Sequence, residues 1–96
     1  MSPIKQRKLN NLRRKLDILD DKMLSIIKKR SLLVDKILSN KTKKNQIIDK
    51  KRIKLILKNI RNKSIKKNID PIITKSIWST MIRAFVKYEY RNFKKK

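Results

Sequence analysis

The sequence predicts an all-α fold of three helices, one long and two shorter. Apolar residues recur in alternating steps of three and four over residues 9 to 38, the period of a helix face. Strand-type alternation and hairpin dipeptides are absent. An Asp-Pro pair at positions 70 and 71 gives a strong helix-start signal late in the chain.

The long helix comes first. Leu9, Leu12, Leu16, Leu19, Met23, Ile26, Leu33 and Ile37 form a heptad seam, and no proline or glycine interrupts it. One position in the seam is occupied by Arg30. At 1.5 Å per residue such a helix is roughly 45 Å long. A compact monomer of this chain length would be about 32 Å across. The excess needs cover from a partner chain, so a homodimer is expected.

The segment SNKTKKNQII, residues 39 to 48, breaks the period and reads as a polar loop. Asp49 can cap a second helix that runs to about Asn62, with Ile53, Ile56, Leu57 and Ile60 facing inward. Residues 63 to 69 read as a second loop. Asp70 then caps a third helix whose first turn holds Pro71 and which runs to about Phe93. One face of it carries Trp78, Ile82, Phe85 and then Glu89. A basic tail, Lys94-Lys95-Lys96, follows. The chain reads as one domain over residues 1–96 with a core at about 9–93, long enough for one small core.

Composition narrows the chemistry. The 96 residues include no cysteine, no histidine and no glycine. There is then no disulfide frame, none of the commonest general base and zinc ligand, and no glycine-rich phosphate cradle. No metal or cofactor is expected, and an enzyme built from this chain would work by binding and electrostatics. The formal net charge is +23, which points toward anionic partners. Lys, Ile and Asn share A/T-heavy codons, however, and the lysines are scattered along the sequence rather than confined to one stripe. That favours a codon bias as the origin of the charge. The N-terminal MSPIKQRK lacks the apolar run of a signal peptide, and no stretch approaches a membrane span. A cytoplasmic location with no membrane partner is the expectation.

Two polar residues stand in apolar faces. A guanidinium in a seam, Arg30, is costly to desolvate unless paired. Glu89 ends the apolar face of the third helix, where fraying into water is the bland explanation. Further cations lie beside the seam: Arg13 near the start of the long helix, Lys41 just past its end, and Arg52 in the first turn of the second helix. Each alone reads as a solvated charge. Together they suggest a pocket for a small dianion, since guanidinium forks match carboxylates.

These residues occur in LRRKLDILDDKMLSIIKKR (12–30), Lys41, DKKRI (49–53) and MIRAFVKYE (81–89). In this pattern the chain resembles the all-helical, AroQ-type chorismate mutases over about residues 9 to 93. The resemblance implies an intertwined homodimer of the chorismate mutase II type, whose active sites each take one arginine from the neighbouring chain. By motif, Arg13 would be the arginine given across the dimer and Arg30 that of the home chain, both holding substrate carboxylates. Lys41 would reach the ether oxygen, Asp49 would lie near the ring hydroxyl, and Arg52 would support the anion site. Ile82 and Phe85 would pack near the ring, and Glu89 would stand at the second hydrogen-bond position on the ether oxygen. The implied reaction, chorismate to prephenate in aromatic amino-acid biosynthesis, is pericyclic and needs no nucleophile, base, metal or cofactor. No further domain is read in the chain, so control by an attached sensor is not expected.

Two positions depart from the family pattern. Ile53 stands where many members carry Glu against the ring hydroxyl. Isochorismate-pyruvate lyases share the fold and lack that acid, so a lyase is the alternative. Glu89 stands where Gln is usual, and an ionised carboxylate cannot donate a hydrogen bond. Its apolar neighbours Trp78, Ile82 and Phe85 imply a protonated working form with a raised pKa. A different class of function, a basic helical module that binds nucleic acid, rests on charge alone, and no specific nucleic-acid partner is expected. A purely structural dimer would keep the seam and gain stability from Arg30→Leu.

Overall fold

A computed structural model of the chain describes residues 2–94. Lys95 and Lys96, two of the three residues of the basic tail, lie outside the described residues. The described residues form three α-helices, α1 (Pro3–Ser39), α2 (Lys50–Lys66) and α3 (Pro71–Asn92), with a short 3-10 turn at Lys44–Gln46 and no strand among them. The all-α expectation holds, with one long helix and two shorter ones. The chain divides into two compact units, Met1–Leu33 and Val34–Lys96, and α1 contributes to both.

Helix α1 starts six residues earlier than the heptad reading placed it. The reason is a start signal at the very beginning of the chain. Pro3 holds the first helical position, where its missing N–H costs nothing. Ser2 accepts from the Lys5 N–H through its hydroxyl at 3.2 Å, so one free donor of the first turn is satisfied. The seam residues Leu12, Leu16, Leu19, Met23, Ile26, Leu33 and Ile37 all stay at least half exposed in the single chain.

The second unit holds the packed part of the fold. Between α1 and α2, the Gln46 side chain accepts from the backbone N–H of Thr42 at 2.7 Å and of Lys43 at 3.0 Å. That fastens the loop, and Ile47 is 3% exposed, the most buried of the described residues. Asp49 caps α2 by accepting from the Arg52 N–H at 3.0 Å, as its type and position require. Helix α2 packs on α3, and Ile53, Ile56, Leu57 and Ile60, expected to face inward, are half-buried.

Helix α2 runs four residues past Asn62, into the segment read as loop. Nothing in Lys63-Ser64-Ile65-Lys66 breaks a helix, and Ser64 is held on both sides. Its hydroxyl donates to the Ile60 carbonyl at 2.6 Å and lies 2.8 Å from the Thr74 hydroxyl of α3. Both side chains are buried. The stop comes at Asn68, whose φ of 56° is left-handed. The Ile69 N–H reaches back to the Ser64 carbonyl at 2.9 Å, and the Asn68 N–H to the Ile65 carbonyl at 3.2 Å. This is the Schellman ending, with Asn in the place glycine usually takes. Asp70 then caps α3 through the Ile72 N–H at 2.9 Å, with Pro71 behind it.

Candidate active site

The sequence-derived site residues fall in both units, and each unit is described separately. In Met1–Leu33, Arg13 is exposed on α1. Arg30 is half-buried, and its Nε is a buried nitrogen with no hydrogen-bond partner among the described residues. A buried guanidinium donor left unmade is costly, so this atom is the sharpest local sign that an acceptor from outside belongs there.

In Val34–Lys96 the chain brings Lys41 and Glu89 together. Lys41 Nζ lies 3.0 Å from Glu89 Oε1, with side chains 19% and 9% exposed. It is the only ion pair among the described residues. Lys41 also donates to the Ile47 carbonyl at 3.4 Å. Glu89 does not fray into water: α3 continues to Asn92, and Glu89 is 7% exposed. The expectation of purely apolar neighbours for Glu89 is corrected by the fold. Its nearest partner is a cation 48 residues away in the chain.

Asp49 and Arg52 are exposed, and the Asp49 carboxylate is engaged as the cap of α2. Ile53 and Ile82 line one open cavity of about 380 Å³ whose walls also include Ile48, Leu57 and Val86. Ser79, Arg83 and Lys87 complete its lining. The cavity beside Ile53 is thus mainly apolar, and its lining includes no acid. Phe85 is half-buried and meets Tyr88 edge-on, with ring centroids 6.4 Å apart. Tyr88 in turn donates to Asp35 Oδ1 at 2.6 Å, tying α3 to the last turns of α1. That hydrogen bond raises the Tyr88 pKa above its ordinary 10.0.

Three contributors to this site escaped the sequence reading. The Ile47 carbonyl is a backbone group and has no side-chain signature. Gln46 orders the loop that carries Lys41, and its signal is only a glutamine three residues after Lys43. The Asp35–Tyr88 pair spans 53 residues, beyond any local pattern.

The described residues are all-α, with a part-buried Lys–Glu pair in one unit and an arginine donor in want of an acceptor in the other. The model of the chorismate mutase type II family matches residues 12–90, and the chain belongs to that family. No curated protein and no solved structure matches the chain. No helix among the described residues is long and apolar enough to cross a membrane.

Proposed function

We propose that the protein is a chorismate mutase that converts chorismate to prephenate, acting as a homodimer with shared active sites. The observation that carries this reading is the extent of the family match: residues 12–90 enclose every candidate position from Arg13 to Glu89. In the rearrangement the ether C–O bond breaks as a C–C bond forms, with no proton transferred to or from the enzyme. The protein has to hold the reactive conformer and stabilise negative charge growing on the ether oxygen. Arg30 and the partner's Arg13 hold the two carboxylates, and Arg52 adds to the positive field. Lys41 faces the ether oxygen, and Glu89 stands beside it. Ile82 and Phe85 enclose the ring, and Asp49 lies toward the ring hydroxyl.

The exposed seam of α1 supports the dimer. Seven apolar residues at heptad spacing are left half exposed on one helix, and a second copy of that helix is the complement of such a seam. It would also bring the second chain's Arg13 into play. Such a protein works in aromatic amino-acid biosynthesis and in the cytoplasm.

One observation favours the lyase as a second reading. Ile53 stands beside Ile48 and Leu57 in a cavity whose lining includes no acid, so the position where many family members carry Glu offers the hydroxyl of chorismate no carboxylate. The deciding experiment gives the purified protein chorismate or isochorismate and quantifies prephenate, pyruvate and salicylate. Prephenate from chorismate is the expected result. Pyruvate and salicylate from isochorismate alone would replace the mutase by the lyase, and turnover of neither would remove both.

A further inference from the structure

The positive charge that looks scattered in the sequence is ordered by the fold. Residues 34 to 96 carry twenty Lys or Arg and only four acids. All four acids are already engaged within the chain. Asp35 accepts from Tyr88, Asp49 and Asp70 cap their helices, and Glu89 pairs with Lys41. The remaining cations have no carboxylate within ion-pair distance among the described residues.

Helix α2 concentrates this excess, with eight Lys or Arg in seventeen residues and no acid. At 100° per residue, Lys50, Lys51, Lys54, Lys58 and Arg61 fall within an arc of about 100°. All five are exposed, and the arc lies about 110° around the helix from the face that packs on α3. The row extends about 16 Å along the axis.

This arrangement opposes the helix's own electrostatics. Lys50, Lys51 and Arg52 occupy the first turn, at the positive pole of the macrodipole. Lys50 with Lys54, and Lys54 with Lys58, are like charges four residues apart, each costing about 0.2–0.5 kcal/mol. Among the described residues only the Asp49 cap places an acid against these charges. A polyanion laid along the row would reverse all of these costs.

We propose that this face of α2 binds the phosphate backbone of double-helical nucleic acid without regard to sequence. A duplex presents one negative charge per ~1.7 Å of axis, so the row spans about ten phosphates. A single strand is disfavoured because the row carries no aromatic side chain on which bases could stack. A membrane surface is disfavoured because an interfacial helix needs its apolar face toward the lipid, and that of α2 is half-buried in a helix packed on α3.

The test is fluorescence anisotropy of the full chain with a labelled 20-base-pair DNA duplex between 50 and 200 mM NaCl. With four phosphates neutralised, log K against log salt should have a slope of about −3.6, a loss of roughly 10²-fold over that range. Replacing Lys51, Lys54, Lys58 and Arg61 with Gln should weaken binding at least 30-fold at 100 mM and flatten the slope. Circular dichroism checks that the helices persist. A control variant with Lys5, Lys8, Lys22 and Lys29 of α1 replaced by Gln should keep most of the affinity. Equal losses in the two variants would overturn the proposal, because the total charge and not the row would then be the cause. So would a parent slope shallower than about −1, tighter binding to a single strand than to the duplex, or preferential binding to phosphatidylserine vesicles.

Discussion

Arg30→Leu should make the protein more stable and less active. The reasoning starts from one atom, the buried Arg30 Nε with no acceptor among the described residues. An unsatisfied buried donor costs about 1–3 kcal/mol, and more when it belongs to a charged group. Leucine removes that cost and restores the apolar step of the seam between Ile26 and Leu33. The expected gain is about 2 kcal/mol, or a rise in Tm of about 8–16 °C for a domain of this size. Urea unfolding at fixed protein concentration measures it, since folding coupled to association depends on concentration. Activity should move the other way. Two charge-assisted hydrogen bonds to a substrate carboxylate are worth about 3–6 kcal/mol together, a loss of roughly 10²–10⁴ in kcat/KM. A third measurement links the two: prephenate at 100 times its Kd should stabilise the parent by about 2.7 kcal/mol and the variant hardly at all. A variant that is less stable than the parent would refute the reasoning. It would mean that Arg30 already has its acceptor within the assembled protein, and that the seam arginine is a structural ion pair.

Four further predictions follow from other parts of the chain. Glu89→Gln supplies a permanent hydrogen-bond donor. Its kcat/KM at neutral pH should exceed the parent's about tenfold; an unchanged or lower value would sink a donor role for Glu89. Tyr88→Phe tests the bond to Asp35. Because the Tyr88 pKa is raised in the fold, its contribution is complete below the unfolded value of 10.0 and is lost as pH rises through the folded value. The parent should therefore lose stability above about pH 10 faster than the variant, as read by thermal melts across the alkaline range. Leu16→Glu combined with Leu19→Glu should abolish the dimer and most of the folded population in sedimentation and circular dichroism, whereas a parent that sediments as a folded monomer would contradict the proposed assembly. At Asn68, Gly should match or exceed the parent in stability and Ala should cost about 1 kcal/mol, because only the left-handed residue of the α2 ending is being changed.

The elements were legible because their signals are local. Asp49 and Asp70-Pro71 announced two helix starts that the structure realises through the Arg52 and Ile72 amides. Two boundaries were misread for equally local reasons. Ser2-Pro3 is the same kind of start signal as Asp70-Pro71, but it precedes the heptads and carries no apolar pattern of its own. The end of α2 depends on Asn68 adopting a positive φ, a choice that glycine advertises in a sequence and asparagine does not. At the site, the residue types and the anomaly of Arg30 could be read directly. The Lys41–Glu89 pair could not, because it joins residues from a loop and a distant helix, and only the folded chain makes them neighbours.

The shortage of buried apolar side chains connects folding with the proposed chemistry. Leu38 and Ile47 are the only buried apolar residues among those described, at 8% and 3% exposed. The seam residues of α1 are each about half exposed, so completing their burial is worth about 1 kcal/mol apiece. Seven such residues per chain approach the whole stability of an ordinary small domain, about 5–15 kcal/mol. On the proposed assembly, pairing would therefore supply most of what holds α1 in place. The same pairing delivers Arg13 to the neighbouring site. A chain that failed to pair would lose its seam contacts and one of its two carboxylate-binding arginines together. Folding and activity should then share one dependence on protein concentration, and the dimer would be a condition of the site's existence.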